Sequence, residues 1–158
     1  VASTFEVLAL AQLNFLYYPP TAVVYQTTTQ SIANGSLVPI TMDTSSVDNY
    51  NGHSNVTNPS RYTAQVAGRY WVRGVVGWAA NSNGNRITQI AVNGTGVPQG
   101  QQQAFTANNN NNDMTEAGQS VFLNVGDYVE VWGYQASGGA LSTQTLLSSM
   151  QLWWTGAV

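Results

Sequence analysis

Two stretches decide how this chain reads: Val121-Phe122-Leu123-Asn124-Val125-Gly126-Asp127-Tyr128-Val129, and the closing run Met150-Gln151-Leu152-Trp153-Trp154-Thr155-Gly156. In the first, an apolar run stops at Gly-Asp and resumes two residues later, the pattern of strand, turn and strand. In the second, Met150, Leu152 and Trp154 oppose Gln151 and Trp153, because successive side chains of a strand point to opposite faces. The same alternation recurs from Val66 to Trp154, cut by glycine turns. It predicts an all-β domain of two packed sheets.

Working outward, the alternation predicts strands over 22–27, 30–32, 37–42, 61–66, 70–79, 86–92, 102–106, 120–125, 128–135 and 146–155. Four Asn-Gly pairs, at Asn34, Asn51, Asn83 and Asn93, supply residues that accept positive φ, as tight hairpins require. The asparagine run 108–112 reads as an exposed loop, and Gly94 to Gly100, with Pro98 inside it, as a plain loop. No internal repeat is visible.

The faces of individual strands carry more. In 70–79 one face holds Tyr70, Val72, Gly74, Val76 and Trp78, and the other Trp71, Arg73, Val75 and Gly77. A sheet with one wet face alternates cleanly, so large apolar groups on both sides call for a cover on both sides. In a two-sheet domain the second cover is another subunit. Arg73 lies among these apolar groups and needs a carboxylate, carbonyls or an aromatic face. Arg86, at a hairpin end, is expected to matter less. In 128–135 the valines read as core, which puts Tyr128, Trp132 and Tyr134 on an exposed aromatic face with Glu130.

Ahead of the strands, Ser3-Thr4-Phe5-Glu6 forms a capping box, and Val7, Ala11, Phe15 and Tyr18 recur at near-helical spacing with Leu8 beside them. A helix over 5–16 is predicted, ended by Pro19-Pro20. This gives an arm over 1–20 and a β domain over 21–158. The helix either folds against its own domain or docks it onto a larger assembly through Val7, Leu8, Phe15 and Tyr18; docking is the favoured expectation. Glu6, Gln12 and Asn14 interrupt the segment, so no membrane span is expected, and a signal peptide is not expected because a cationic start is missing.

Composition excludes several classes. A domain of 158 residues buries a real core without staples. Cysteine is absent, which rules out disulfides and thiolate metal sites. Charged residues make up 7%, the cations are Arg61, Arg69, Arg73 and Arg86, and the net charge is -3. Without a basic cluster neither nucleic acid nor an anionic membrane is an expected partner. Asn, Gln, Ser and Thr supply the polarity, which suits a subunit that packs against copies of itself.

No catalytic constellation stands out. His53 is the only histidine and sits in an Asn-Gly-Ser loop. A triad of Ser54 or Ser60 with His53 and Asp48 can be drawn, but no nucleophile elbow supports it. Asp113 and Glu116 are the nearest carboxylate pair, with nothing around them to raise a pKa. Asn81-Ser82-Asn83-Gly84-Asn85 has the oxygen spacing of a calcium loop without a carboxylate. No enzyme activity, metal or cofactor is expected. The sequons at Asn34, Asn55 and Asn93 are those expected by chance in so polar a chain.

The order Ala67-Gly68-Arg69-Tyr70-Trp71-Val72, then Val121 to Val129 with its Gly-Asp turn, then the aromatic strand before Gly156, resembles the complement C1q and tumour necrosis factor superfamily over about residues 22 to 157. The resemblance implies a ten-stranded jelly-roll β-sandwich that associates as a homotrimer around a threefold axis. It places Tyr70 and Val129 in the core, Gly126-Asp127 at a turn, and Trp71, Arg73, Val75 and Trp153 in the trimer contact. The chain departs from it in lacking a collagen stalk and cysteines. Its front, Ala11-Gln12-Leu13-Asn14-Phe15-Leu16, Pro19-Pro20, Val24-Tyr25-Gln26-Thr27 and Asn51-Gly52-His53-Ser54, is similar to tailed-bacteriophage virion proteins. That similarity implies a virion-surface protein, a capsid decoration partnered by a major capsid or tail protein. The alternative it implies is a tail-fibre or tail-tip head that binds host-surface glycans.

Overall fold

Period-two alternation produces strands almost throughout. The computed structural model describes residues 17–105 and 112–157. The expected helix over 5–16, with Val7, Leu8 and Phe15, and positions 108–111 of the asparagine run lie outside the described residues. Twelve strands follow: β1 Thr21–Tyr25, β2 Ser31–Ile32, β3 Leu37–Pro39, β4 Thr44–Asp48, β5 Arg61–Thr63, β6 Gly68–Trp78, β7 Asn85–Val92, β8 Thr95–Phe105, β9 Asp113–Leu123, β10 Tyr128–Gln135, β11 Leu141–Ser142 and β12 Ser149–Gly156.

They form two five-stranded antiparallel sheets and a short β11–β2 pair. One sheet runs β4-β1-β12-β6-β9; the other runs β3-β10-β7-β8, with β5 also on β10. The closing strand β12 lies between β1 and β6, so the last strand joins the first half of the chain at the centre of its sheet. This is the jelly-roll sandwich. Ala22, Val24, Tyr70, Val72, Val76, Leu123, Met150 and Leu152 from the first sheet meet Tyr62, Ile90, Val129 and Val131 from the second. Gly74 interrupts the β6 core face because the Val131 methyls lie where its Cβ would be, at 2.6 and 2.8 Å.

The Gly-Asp signal is a turn with a mechanism. Gly126 takes φ 91°, and the Asp127 carboxylate accepts the Asn124 backbone N–H at 2.7 Å and the Asn93 side-chain amide at 2.8 Å. Those bonds, the Asn93 one first, hold Asp127 below the usual carboxylate range. Val125, expected to end a strand, is exposed in the turn instead.

Three strand expectations are corrected. Gly94 to Gly100 is not a plain loop: Asn93 and Gly94, both at positive φ, make a two-residue hairpin, and β8 runs on from Thr95. Pro98 is tolerated because β8 is an edge strand, where a missing N–H costs no ladder bond. β4, Thr-Ser-Ser-Val-Asp, has one apolar residue and no readable period, yet it pairs with β1 along the sheet edge. β9 starts at Asp113 rather than 120 because its whole length pairs with β6, from Gly68↔Leu123 to Trp78↔Asp113.

Arg86 overturns the hairpin-end expectation. Its side chain is fully buried, its Nη1 donates to the carbonyls of Asn83 and Asn85 at 3.0 Å, and its Nη2 donates to that of Asn81 at 3.3 Å. Burial lowers its pKa, opposed by the charge of Asp113. Among the described residues no helix is long and apolar enough to cross a membrane, and no three His, Cys, Asp or Glu side chains gather as a metal site.

Candidate functional site

The open face of the β4-β1-β12-β6-β9 sheet collects the expected contact residues. Trp71 of β6 pairs in register with Trp153 of β12, their rings 6.5 Å apart and tilted by 43°. They stay 38% and 41% exposed, although one edge of the Trp71 indole rests over Gly118, whose missing Cβ would lie 3.2 Å from it. In the next register row Arg73 stands beside Gln151, followed by Val75, which is buried beside Ser149. Val47 of β4 and Phe122 and Met114 of β9 extend the apolar face to both edges of the sheet. The alternation in 120–125 could have disclosed Phe122; Val47 stayed hidden because β4 carries no pattern.

Arg73 finds the carboxylate that its position demanded. Its Nε and Nη2 donate to the two Glu116 oxygens at 2.7 and 2.6 Å, a fork-on-fork pair. These bonds hold Glu116 below the ordinary 4.5 and raise Arg73. An acid with a lowered folded pKa contributes in full above its unfolded value and loses that contribution as pH falls through the folded one. Folding stability is therefore expected to lose this pair's small contribution as pH falls from the ordinary glutamate pKa through the lowered one, and Glu116→Gln to remove that part of the pH dependence. Urea unfolding across acidic pH measures both.

The second sheet carries the other group. Tyr128, Trp132 and Tyr134 face outward on β10 as the alternation predicts, but the expected exposed aromatic face is corrected: all three are half-buried. Glu130, only 3% exposed, draws in Trp132 and, through Arg61, Tyr128. It accepts from Ser60 Oγ at 2.8 Å, Arg61 Nε at 3.1 Å and Trp132 Nε1 at 3.0 Å. The Arg61 guanidinium then lies 4.0 Å above the Tyr128 ring. Alternation could not show this, because β5 brings Ser60 and Arg61 from far away in sequence to the β10 edge. Trp132→Phe is expected to cost about 1.5–3 kcal/mol in urea unfolding, the worth of a hydrogen bond to a charged acceptor.

The drawn triad comes apart. Asp48 receives the backbone N–H groups of Gly52 and His53, and the His53 ring turns Nδ1 to the Arg61 carbonyl at 2.8 Å. Since a carbonyl only accepts, Nδ1 carries the proton. Ser60 is committed to Glu130, and Ser54 Oγ accepts backbone N–H groups from Val56 and Thr57. Asp113 and Glu116, three apart on β9, project to opposite faces. At the start of the domain Tyr18, from the docking set, is exposed, and its carbonyl accepts from the Tyr50 hydroxyl at 3.3 Å.

No family model and no curated protein matches the chain. Solved structures do match its fold. The globular domain of zebrafish complement 1qA protein aligns with TM-score 0.61 and 13% identity over 88% of this chain and 99% of that one. Eiger TNF from S. frugiperda aligns with TM-score 0.65 and 14% identity over 89% and 95%. Murine APRIL at pH 5.0 aligns with TM-score 0.62 and 8% identity over 87% and 99%. The chain is thus similar in fold to C1q and tumour necrosis factor jelly rolls.

Proposed function

We propose that this chain is a non-enzymatic assembly module. In this reading it is a homotrimer closed over the open face of the β4-β1-β12-β6-β9 sheet and displayed on a bacteriophage virion as a capsid decoration protein. The observation that carries it is the Trp71–Trp153 pair on a sheet whose inner face is already filled by core. Two adjacent, partly exposed indoles on a flat sheet are poorly placed in water and well placed against a second copy. The virion setting is supported by the similarity of the front of the chain, and the docking role of residues 1–20 follows from it.

The test is truncation. A chain lacking residues 1–18 keeps β1 from Thr21 onward and is expected to remain folded and associated, while no longer sedimenting with bare capsid or tail particles that the full chain binds. Binding by the truncated chain equal to that of the full one would end the arm's role, and detection in fibre or tail fractions only would move the protein from shell to tail. A second reading, a head that recognises host-surface glycans, is favoured by one observation: a polar cavity beside Arg61 and Tyr128.

A further inference from the structure

We infer that the cavity between the loop after β4 and the β5–β10 edge is a binding site for a carboxylate-bearing sugar, with Arg61 as the carboxylate ligand. It deepens the glycan-recognition reading and is independent of the trimer. The cavity measures about 460 Å³, within the roughly 300–1,000 Å³ of small-ligand pockets. Its lining is polar: the amides of Asn51, Asn58 and Gln65 and the hydroxyls of Ser54, Thr57 and Thr63 offer both donors and acceptors, and no carboxylate side chain lines it. Such walls suit a ring of hydroxyl groups better than an apolar ligand.

Arg61 gives the site its charge preference. The buried Glu130 holds only its Nε, and the Tyr128 ring lies under its guanidinium, so the group is fixed from two sides. Neither Nη has a hydrogen-bond partner within the described chain, although the side chain is 37% exposed. A guanidinium immobilised at Nε, with Nη groups to donate, is preorganised for an external carboxylate. The wall opposite is equally set. Asp48 clamps the N–H groups of Gly52 and His53, Asn51 and Asn58 hold left-handed φ of 53° and 50°, and the Tyr62 ring fills the space over Gly52.

The experiment titrates the ¹⁵N-labelled full chain with sodium D-glucuronate, D-glucose and sodium acetate in parallel, with light scattering on the same samples. Glucuronate is expected to give saturable amide shifts confined to residues 51–65 and 126–128, with affinity at least about fivefold above both controls, since ring and carboxylate each contribute. Arg61→Lys keeps the charge but not the fork, and is expected to weaken glucuronate about tenfold. Thr57→Trp, at an exposed loop position in the lining, is expected to plug the cavity and abolish the shifts while leaving the rest of the spectrum in place. Absence of saturable shifts overturns the inference. So does acetate or glucose binding as well as glucuronate, or an unchanged Arg61→Lys. The scattering mass reports on assembly separately, so a monomer that binds glucuronate sinks the trimer and leaves this site standing.

Discussion

In dilute solution the chain is expected to scatter light at three times its 16.9 kDa, and Trp71→Ser to scatter as one chain while keeping the β-sheet circular dichroism of the parent. The expectation rests on what Trp71 does not do within its own subunit. It packs on Trp153 and over Gly118 on the outward face of β6, whereas the sandwich core is built from Tyr70, Val72, Val76 and Trp78 on the other. Losing the indole therefore leaves the core intact. With 38% and 41% of Trp71 and Trp153 exposed, covering the remainder removes on the order of 100 Å² per ring, worth roughly 2–3 kcal/mol each. Repeated at every subunit contact, that loss is large against the narrow margin of a reversible assembly. A parent chain that scatters at 16.9 kDa would overturn the assembly reading, and an unfolded Trp71→Ser would place the indole in the folding core.

Arg86→Ala is expected to be the most destabilising of the arginine substitutions. Three backbone carbonyls converge on this fully buried guanidinium, and its carbon lies 6.0 Å from the centre of the Trp78 ring. Truncation strips Asn81, Asn83 and Asn85 of a shared charged donor and leaves a void beside Trp78. Leaving part-buried carbonyls without their donor costs about 1–3 kcal/mol each, about 3 kcal/mol or more for the three together. At roughly 2–4 °C per kcal/mol for a domain of this size, the melting midpoint should fall by about 6 °C or more. Arg86→Lys should rescue little, because one ammonium cannot span three carbonyls held in a fork. Arg73→Ala, removing a pair at the surface of the single chain, should cost about 0–1 kcal/mol. Measuring all three in the monomeric Trp71→Ser background keeps assembly out of the comparison. A larger drop for Arg73→Ala would reverse the assignment.

Alternation determined the all-β class and marked candidate core faces in Tyr70 to Trp78, Tyr128 to Gln135 and Met150 to Trp154, because side chains two apart must share a side, while the jelly-roll topology was read from the family resemblance. The Gly-Asp turn was legible for the same local reason, since positive φ and a carboxylate three residues from an amide are properties of neighbours in sequence. The candidate assembly face was legible as far as Trp71, Arg73, Val75 and Trp153 carry their own alternation, while the partner of Arg73 was not, Glu116 lying 43 residues away. Tertiary structure decided everything that depends on which distant groups meet. It turned Arg86 from a hairpin end into a buried donor, drew Trp132 and Arg61 onto Glu130, and recruited β4 because the edge of β1 needed a partner. A sequence shows which face a side chain takes, but the cost of burying a charge depends on the partners that the folded chain brings to it.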